Sequence, residues 1–183
     1  EQILYGAPVA EQLDKISKNV FQEHTNENGK PHLTAITVGD NPASLLYVSR
    51  KQEKALELGV EFNWIKLSEK TSQDDLSELI SSESKDTDGI IIQLPLPNHL
   101  NPEEAINCIP YKVDVDGLTS YNLGSLFSET YKLIPATSLA VLELLNYYKI
   151  KTEDKNIVIA GRSRLVSAPL AKILSSKSYN GNV

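Results

Sequence analysis

The 183-residue sequence contains one cysteine, Cys108, and no methionine. A single cysteine excludes an internal disulfide and a thiolate metal cluster. Histidine is nearly as scarce: His24, His32 and His99 are scattered, without the spacing of a ligand set. Positive charge is also short, with 18 Lys and Arg against 24 Asp and Glu and a net charge of −6. Such a balance argues against a nucleic-acid partner, because phosphate recognition needs a basic face. No apolar run approaches the roughly 20 residues that cross a bilayer, so a membrane partner is not expected. The N-terminal segment EQILYGAPVA lacks a basic stretch followed by an apolar block, the mark of a secretory signal. A cytoplasmic location is expected, and an organellar presequence removed earlier, as for a mitochondrial protein, is compatible with the sequence. There is no internal repeat and no low-complexity tract. Glu1 as first residue and the missing methionine lead to the expectation of a trimmed chain.

What is present is an ordinary globular balance, 40% apolar and 23% charged, enough for one large domain or two small ones. Val9, Leu13, Ile16 and Val20 recur at helical spacing, and the polar stretch HTNENGKP closes that helix. Leu33 to Val38 reads as a buried strand, and GDNPAS then turns into a helix from about Ala43 to Leu58, stopped by Gly59. Glu61 to Leu67 reads as a strand, and Leu76, Leu79 and Ile80 mark a third helix. Gly89 to Leu94 is a short apolar run ending at prolines, as in a central parallel strand. Pro102 suits the first position of a short helix. Ala140, Val141, Leu144 and Leu145 predict one face of another helix, Asn156 to Ala160 a second central-type strand, and GRSRLVSAPLAKIL a loop running into a helix. Alternating strands and helices specify an α/β chain with a parallel sheet and helices on both faces. The part after a boundary near residues 130 to 150 carries one strand and one helix, too little to close a core, so further chain beyond Val183 is expected.

Four local patterns offer chemistry. Ser44, Tyr47 and Lys51 are spaced to project from one helical face. A lysine partly desolvated beside a tyrosine can act as an acid/base group near neutral pH, although a solvated amphipathic helix carries the same pair. Arg50 and Lys54 are rival cations on that helix. Gln93, in Gln93-Leu-Pro-Leu-Pro97, falls at the carboxyl end of a strand, where open α/β sheets bind ligands. Its amide offers a donor and an acceptor to a heterocycle, or serves only as a loop cap. Asp114-Val-Asp116-Gly117 is either a turn or a carboxylate for the N–H groups of a guanidine-like ring edge. Gly161-Arg-Ser163-Arg-Leu-Val166-Ser167-Ala-Pro169 follows a predicted strand and precedes a helix, the place where a dinucleotide pyrophosphate meets a helix N-terminus. It is a weak fingerprint, with serines at the second and third glycine positions, and Arg162 adds a cation.

In this order, VGDNPASLLYVSRK, DGIIIQLPLP, KVDVDGL with the following YNLG, and IAGRSRLV resemble the bifunctional methylenetetrahydrofolate dehydrogenase/methenyltetrahydrofolate cyclohydrolase family over essentially the whole chain. The resemblance implies an N-terminal three-layer, parallel-sheet catalytic domain over residues 1–135. The start of a Rossmann-like NAD(P)-binding domain would follow over 136–183. It implies oxidation of 5,10-methylenetetrahydrofolate with NADP, or NAD, and hydrolysis of the methenyl product to 10-formyltetrahydrofolate. Lys51 would be the catalytic lysine, with Tyr47 and Gln93 assisting it. Tyr47, Gln93, Leu94 and Asp116 would hold the folate, and Thr137, Gly161, Arg162 and Ser163 the dinucleotide. A reduced folate and a second copy of the chain, making a homodimer, are the implied partners.

Two departures touch the dinucleotide side. The family's P-C-T-P-x-G reads Pro135-Ala136-Thr137-Ser138-Leu139-Ala140, and the glycine of G-R-S-x-x-V-G-x-P is Ser167. A side chain at 167 would crowd the pyrophosphate. Two alternatives therefore stand beside the bifunctional reading: a cyclohydrolase with weakened dehydrogenase activity, and a non-catalytic folate-binding domain. Fusion to a formate-activating ligase module is a further possibility.

Overall fold

The computed structural model describes residues 3–183 and divides into two compact units, residues 14–115 and residues 116–183 with the first 13. In the first unit, β1 (His32–Val38) lies at the centre of a three-stranded parallel sheet between β2 (Glu61–Leu67) and β3 (Gly89–Ile92). The registers Ile36↔Ile65 and Ile36↔Ile92 run across all three strands. The pleat sends alternate residues to opposite faces. Ile36, Val38, Ile90 and Ile92 face a core completed by Leu76 and Ile80 of α3 (Gln73–Glu83) and Ala105 of α4 (Pro102–Asn107). Ala35 and Ile91 point the other way and pack on Val48 of α2 (Pro42–Glu57). The result is the expected helix–sheet–helix layering.

Local chemistry sets the helix ends. Asn41 caps α2 by accepting from Ser44 N at 3.1 Å, with Pro42 in the first turn. Gly59, at φ +84°, takes the left-handed backbone that ends the helix. Ser72 caps α3, and Asn101 caps α4 by accepting from Glu103 N and Glu104 N at 3.0 and 3.3 Å. β3 is shorter than expected: it ends at Ile92, so Gln93 and Leu94 stand on the loop beyond it, and the Leu94–Pro95 peptide is cis. The first helix, α1 (Gly6–Asn28), ends as expected, within the polar stretch HTNENGKP. Of its predicted stripe only Val9 is buried, and Leu13, Ile16 and Val20 are exposed.

The second unit is built from α5 (Ser120–Phe127), which the sequence reading missed, α6 (Ala136–Tyr147) and α7 (Ser167–Leu174). Leu126, Leu142, Leu170, Ile173 and Leu174 form its core. On α6, Val141 and Leu145 pack against this core as expected, but they do not make its most buried positions. Ser138 and Leu142 are buried, one turn apart, and Ala140 is exposed. Hydrophobicity alone missed these positions because a serine, bonded to a backbone carbonyl, occupies one of them. The expected strand at Asn156–Ala160 is extended chain with one parallel bridge, Asn156↔Asn182, supported by Ile157 N donating to Asn182 O at 2.7 Å. Among the described residues it has no strand ladder, and Val158 is 92% exposed.

Candidate functional site

Helix α2 carries the first group of site residues. Ser44 is buried, and its Oγ donates to Leu94 O at 3.4 Å across the mouth of the sheet. Lys51 follows two turns later on the same side of the helix, about 10 Å along the axis. Tyr47, between them, is 61% exposed. Tyr47 and Lys51 line one cavity of about 600 Å³, walled by Leu33 of β1, Gly89 of β3 and Val115. Gly89 is required for that wall: a Cβ there would meet Val115 Cγ1 at 2.6 Å and Leu33 Cδ1 at 3.1 Å.

The rival lysine is already engaged. Lys54 Nζ donates to Asp14 Oδ2 and to Glu57 Oε2, both at 2.8 Å. The hydrogen bond it gives to Asp14, then that to Glu57, raises its pKa and holds it as an ammonium. A base must be able to lose its proton, so Lys54 is a poor proton acceptor. Among the described residues, Lys51 is half-buried with no hydrogen bond or ion pair. Arg50 is exposed on the same helix, about 100° round from Lys51.

Gln93 is held at the end of β3 by its backbone, whose N–H donates to Ile36 O at 2.9 Å. Its side-chain Nε2 donates to Leu94 O at 2.9 Å, the same carbonyl that accepts from Ser44. One N–H of Nε2 is thus engaged, and Oε1 is buried with no partner among the described residues. A buried acceptor without a donor is costly, and in a ligand site it is commonly satisfied by the ligand. Gln93 and Leu94 do not line the cavity of Tyr47 and Lys51; the link between the two groups is Ser44, through Leu94 O. The sequence reading placed Ser44 on the helix face without giving it a role. Its signal was the seven-residue spacing to Lys51. The reading also missed the burial of Asp114, which is 1% exposed and bridges to Ile90. Asp116, half-buried and already engaged in an interaction, opens the other unit.

In that second unit, Gly161 and Arg162 line a cavity of about 480 Å³ with Ser167 and Ala168 of α7. Ser163 Oγ accepts from Leu165 N at 3.1 Å and Ser163 O from Ala168 N at 3.0 Å, so the loop folds back on the helix start. Arg162 is exposed at its rim, and Thr137, in the first turn of α6, is exposed as well. A glycine-lined recess with an arginine beside a helix start fits a dinucleotide pyrophosphate. Ser167 Oγ stands in this recess against Gly161, in the space that a Cβ on residue 161 would take, so that position has to be glycine.

Comparison with known proteins gives this geometry its relatives. The family model for the tetrahydrofolate dehydrogenase/cyclohydrolase catalytic domain matches residues 4–116, and that for the NAD(P)-binding domain of the same family matches residues 135–183. The bifunctional protein FolD of Streptococcus equi subsp. equi is 38% identical over 180 residues, 97% of this chain and 63% of the relative. A 5,10-methylenetetrahydrofolate dehydrogenase from the silkworm Bombyx mori superposes with a TM-score of 0.92 at 34% identity, over 99% of this chain and 64% of that one. The bifunctional FolD methylenetetrahydrofolate dehydrogenase/cyclohydrolase of Campylobacter jejuni gives a TM-score of 0.90 at 31% identity, over 98% and 64%. The chain thus spans a little under two thirds of the length of these relatives. A catalytic-domain match over the sheet and its two helix layers, followed in order by an NAD(P)-domain match over α6 and α7, leads to one assignment: the chain belongs to the tetrahydrofolate dehydrogenase/cyclohydrolase family.

Proposed function

We propose that the protein oxidises 5,10-methylenetetrahydrofolate to the methenyl form with NADP, or NAD, and hydrolyses the methenyl form to 10-formyltetrahydrofolate. Residues 1–135 would form the folate-binding catalytic part and residues 136–183 the start of the dinucleotide-binding part. The observation that carries the reading is the contrast on α2 between two lysines that line the same cavity: Lys54 is held by two carboxylates, and Lys51 has no hydrogen bond or ion pair among the described residues. The names of the relatives support the reaction. One neighbour, a dehydrogenase-cyclohydrolase from Trypanosoma brucei at 26% identity, was solved with NADP and an inhibitor.

In this reading Lys51 moves the proton as water adds to the methenyl carbon, or stabilises the oxyanion that develops there. Tyr47 offers an exposed ring to stack on the folate, and Leu94 lines the pterin. Gln93 Oε1, the buried orphan acceptor, takes a hydrogen bond from a ring N–H of the folate and helps to position Lys51 through the substrate. Asp116 pairs with the guanidine-like edge of the pterin. NAD(P), when bound, supplies the hydride acceptor. Thr137, Gly161, Arg162 and Ser163 hold and orient it, which is most of what that step needs from the protein. A homodimer in the cytoplasm completes the proposal.

Replacement of Lys51 by methionine in the full chain is the direct test. Cyclohydrolase turnover is expected to fall by about a hundredfold to ten-thousandfold, the usual weight of a proton-transfer group, with folate affinity kept within several-fold. Unchanged turnover would remove Lys51 from the mechanism. A second reading, a cyclohydrolase with weakened dehydrogenase activity, is favoured by the Ser167 hydroxyl standing against Gly161.

A further inference from the structure

We propose that Ser167 limits how tightly this chain holds a dinucleotide, acting as a wedge between the Gly161 loop and the first turn of α7; the proposal rests on the dinucleotide reading given above. Dinucleotide folds of this type place small residues where the phosphate loop meets the helix, so that helix and strand end approach closely and the first-turn N–H groups face the pyrophosphate. Here the second partner of that approach is a serine. Its Oγ occupies the space over the Cα of Gly161, and its Cβ lies 3.4 Å from where a Gly161 side chain would begin. Both residues line the same recess, and Ser167 is only 9% exposed, so its hydroxymethyl group cannot swing out into solvent without disturbing the turn.

A second serine keeps the wedge in place. Ser138, fully buried on α6, donates from Oγ to Val166 O at 3.0 Å. The same carbonyl accepts from Leu170 N at 3.0 Å in the first turn of α7. The bond from Leu170 belongs to α7 and moves with it, so the bond from Ser138 is the one that ties the start of α7 to α6 and holds Ser167 beside Gly161. The motifs that these segments resemble carry proline at 138 and glycine at 167, neither with a hydroxyl. Two separate departures in sequence thus act on a single turn in space.

The test is direct titration of the full chain with NADP+, and then NAD+, by calorimetry and without folate, so that binding is read apart from turnover. Ser167→Gly is expected to tighten binding about tenfold, the ratio that roughly 1.4 kcal/mol of relieved overpacking gives. Ser167→Ala removes the oxygen and keeps the Cβ, and is expected to tighten binding by a smaller factor. The alanine variant also covers the case in which glycine loosens the start of α7, and thermal melting of each variant checks that it is folded. Tighter binding by either variant supports the wedge. Binding by all three proteins with neither variant tighter overturns it and leaves the dinucleotide reading standing. No binding by any of the three overturns both.

Discussion

The sheet end around α2 and the loop around Gly161 are both places where a strand-like segment gives way to a helix, yet they are built on different terms. At the first, β1, β2 and β3 pair in register, both faces of the sheet are covered, and Ser44, Gln93 and Leu94 share one carbonyl. At the second, the extended segment 156–160 has one bridge, and the serine hydroxyls of 138 and 167 stand where the related motif has none. A laddered, doubly covered sheet fixes its carboxyl edge to within a hydrogen bond, whereas a singly bridged segment leaves the adjoining loop to be set by side chains. Chemistry that needs a positioned proton-transfer group therefore belongs at the first region, and variation in cofactor affinity at the second.

The largest effect that would break this comparison lies between two lysines one turn apart. Lys51→Met should lower cyclohydrolase turnover by about a hundredfold or more, and a steady-state assay in which it does not would dissolve the distinction drawn on α2. Next comes the frame itself. Leu76 is fully buried between α3 and the sheet, and Leu76→Ala should destabilise the protein by about 2–5 kcal/mol in a urea titration. A loss below 1 kcal/mol would mean that this region is no better packed than a loop. Asp116→Asn should weaken folate binding by about tenfold to a hundredfold through loss of a charged acceptor, with little change in turnover of bound substrate. Wild-type affinity would refute its assignment to the pterin. Asn101→Ala, which strips two backbone N–H groups of their cap at α4, should cost about 1 kcal/mol of stability. At the small end, Lys54→Met should leave turnover within about twofold of wild type, because exposed ion pairs contribute little and the ammonium is not available as a base. A collapse of turnover in that variant would move the catalytic role from Lys51 to Lys54.

Much of this architecture was legible beforehand, and the exceptions share a cause. The three strands, the helix start at Pro102 and the stop at Gly59 follow from local patterning, because backbone preference and alternation act over a few residues. The burial of Ser138 on α6 did not, since it sits inside by virtue of a bond to Val166, 28 residues away. Nor did the exposure of Leu13, Ile16 and Val20 on α1, whose spacing is that of a buried stripe. Periodicity reports which side of a helix is apolar, and burial depends on what lies against it.

By itself, the sequence determined the order of elements, the absence of thiol clusters, the family's motifs and the face on which Ser44, Tyr47 and Lys51 stand together. The structure alone decided which cation on α2 is already engaged, which atom of Gln93 lacks a partner, and that residues 138 and 167 act on one turn. The physical reason is reach. Helix spacing and strand alternation are properties of neighbours along the chain. A carboxylate 40 positions from Lys54, or a hydroxyl 28 positions from the carbonyl it holds, meets its partner only after the chain has folded.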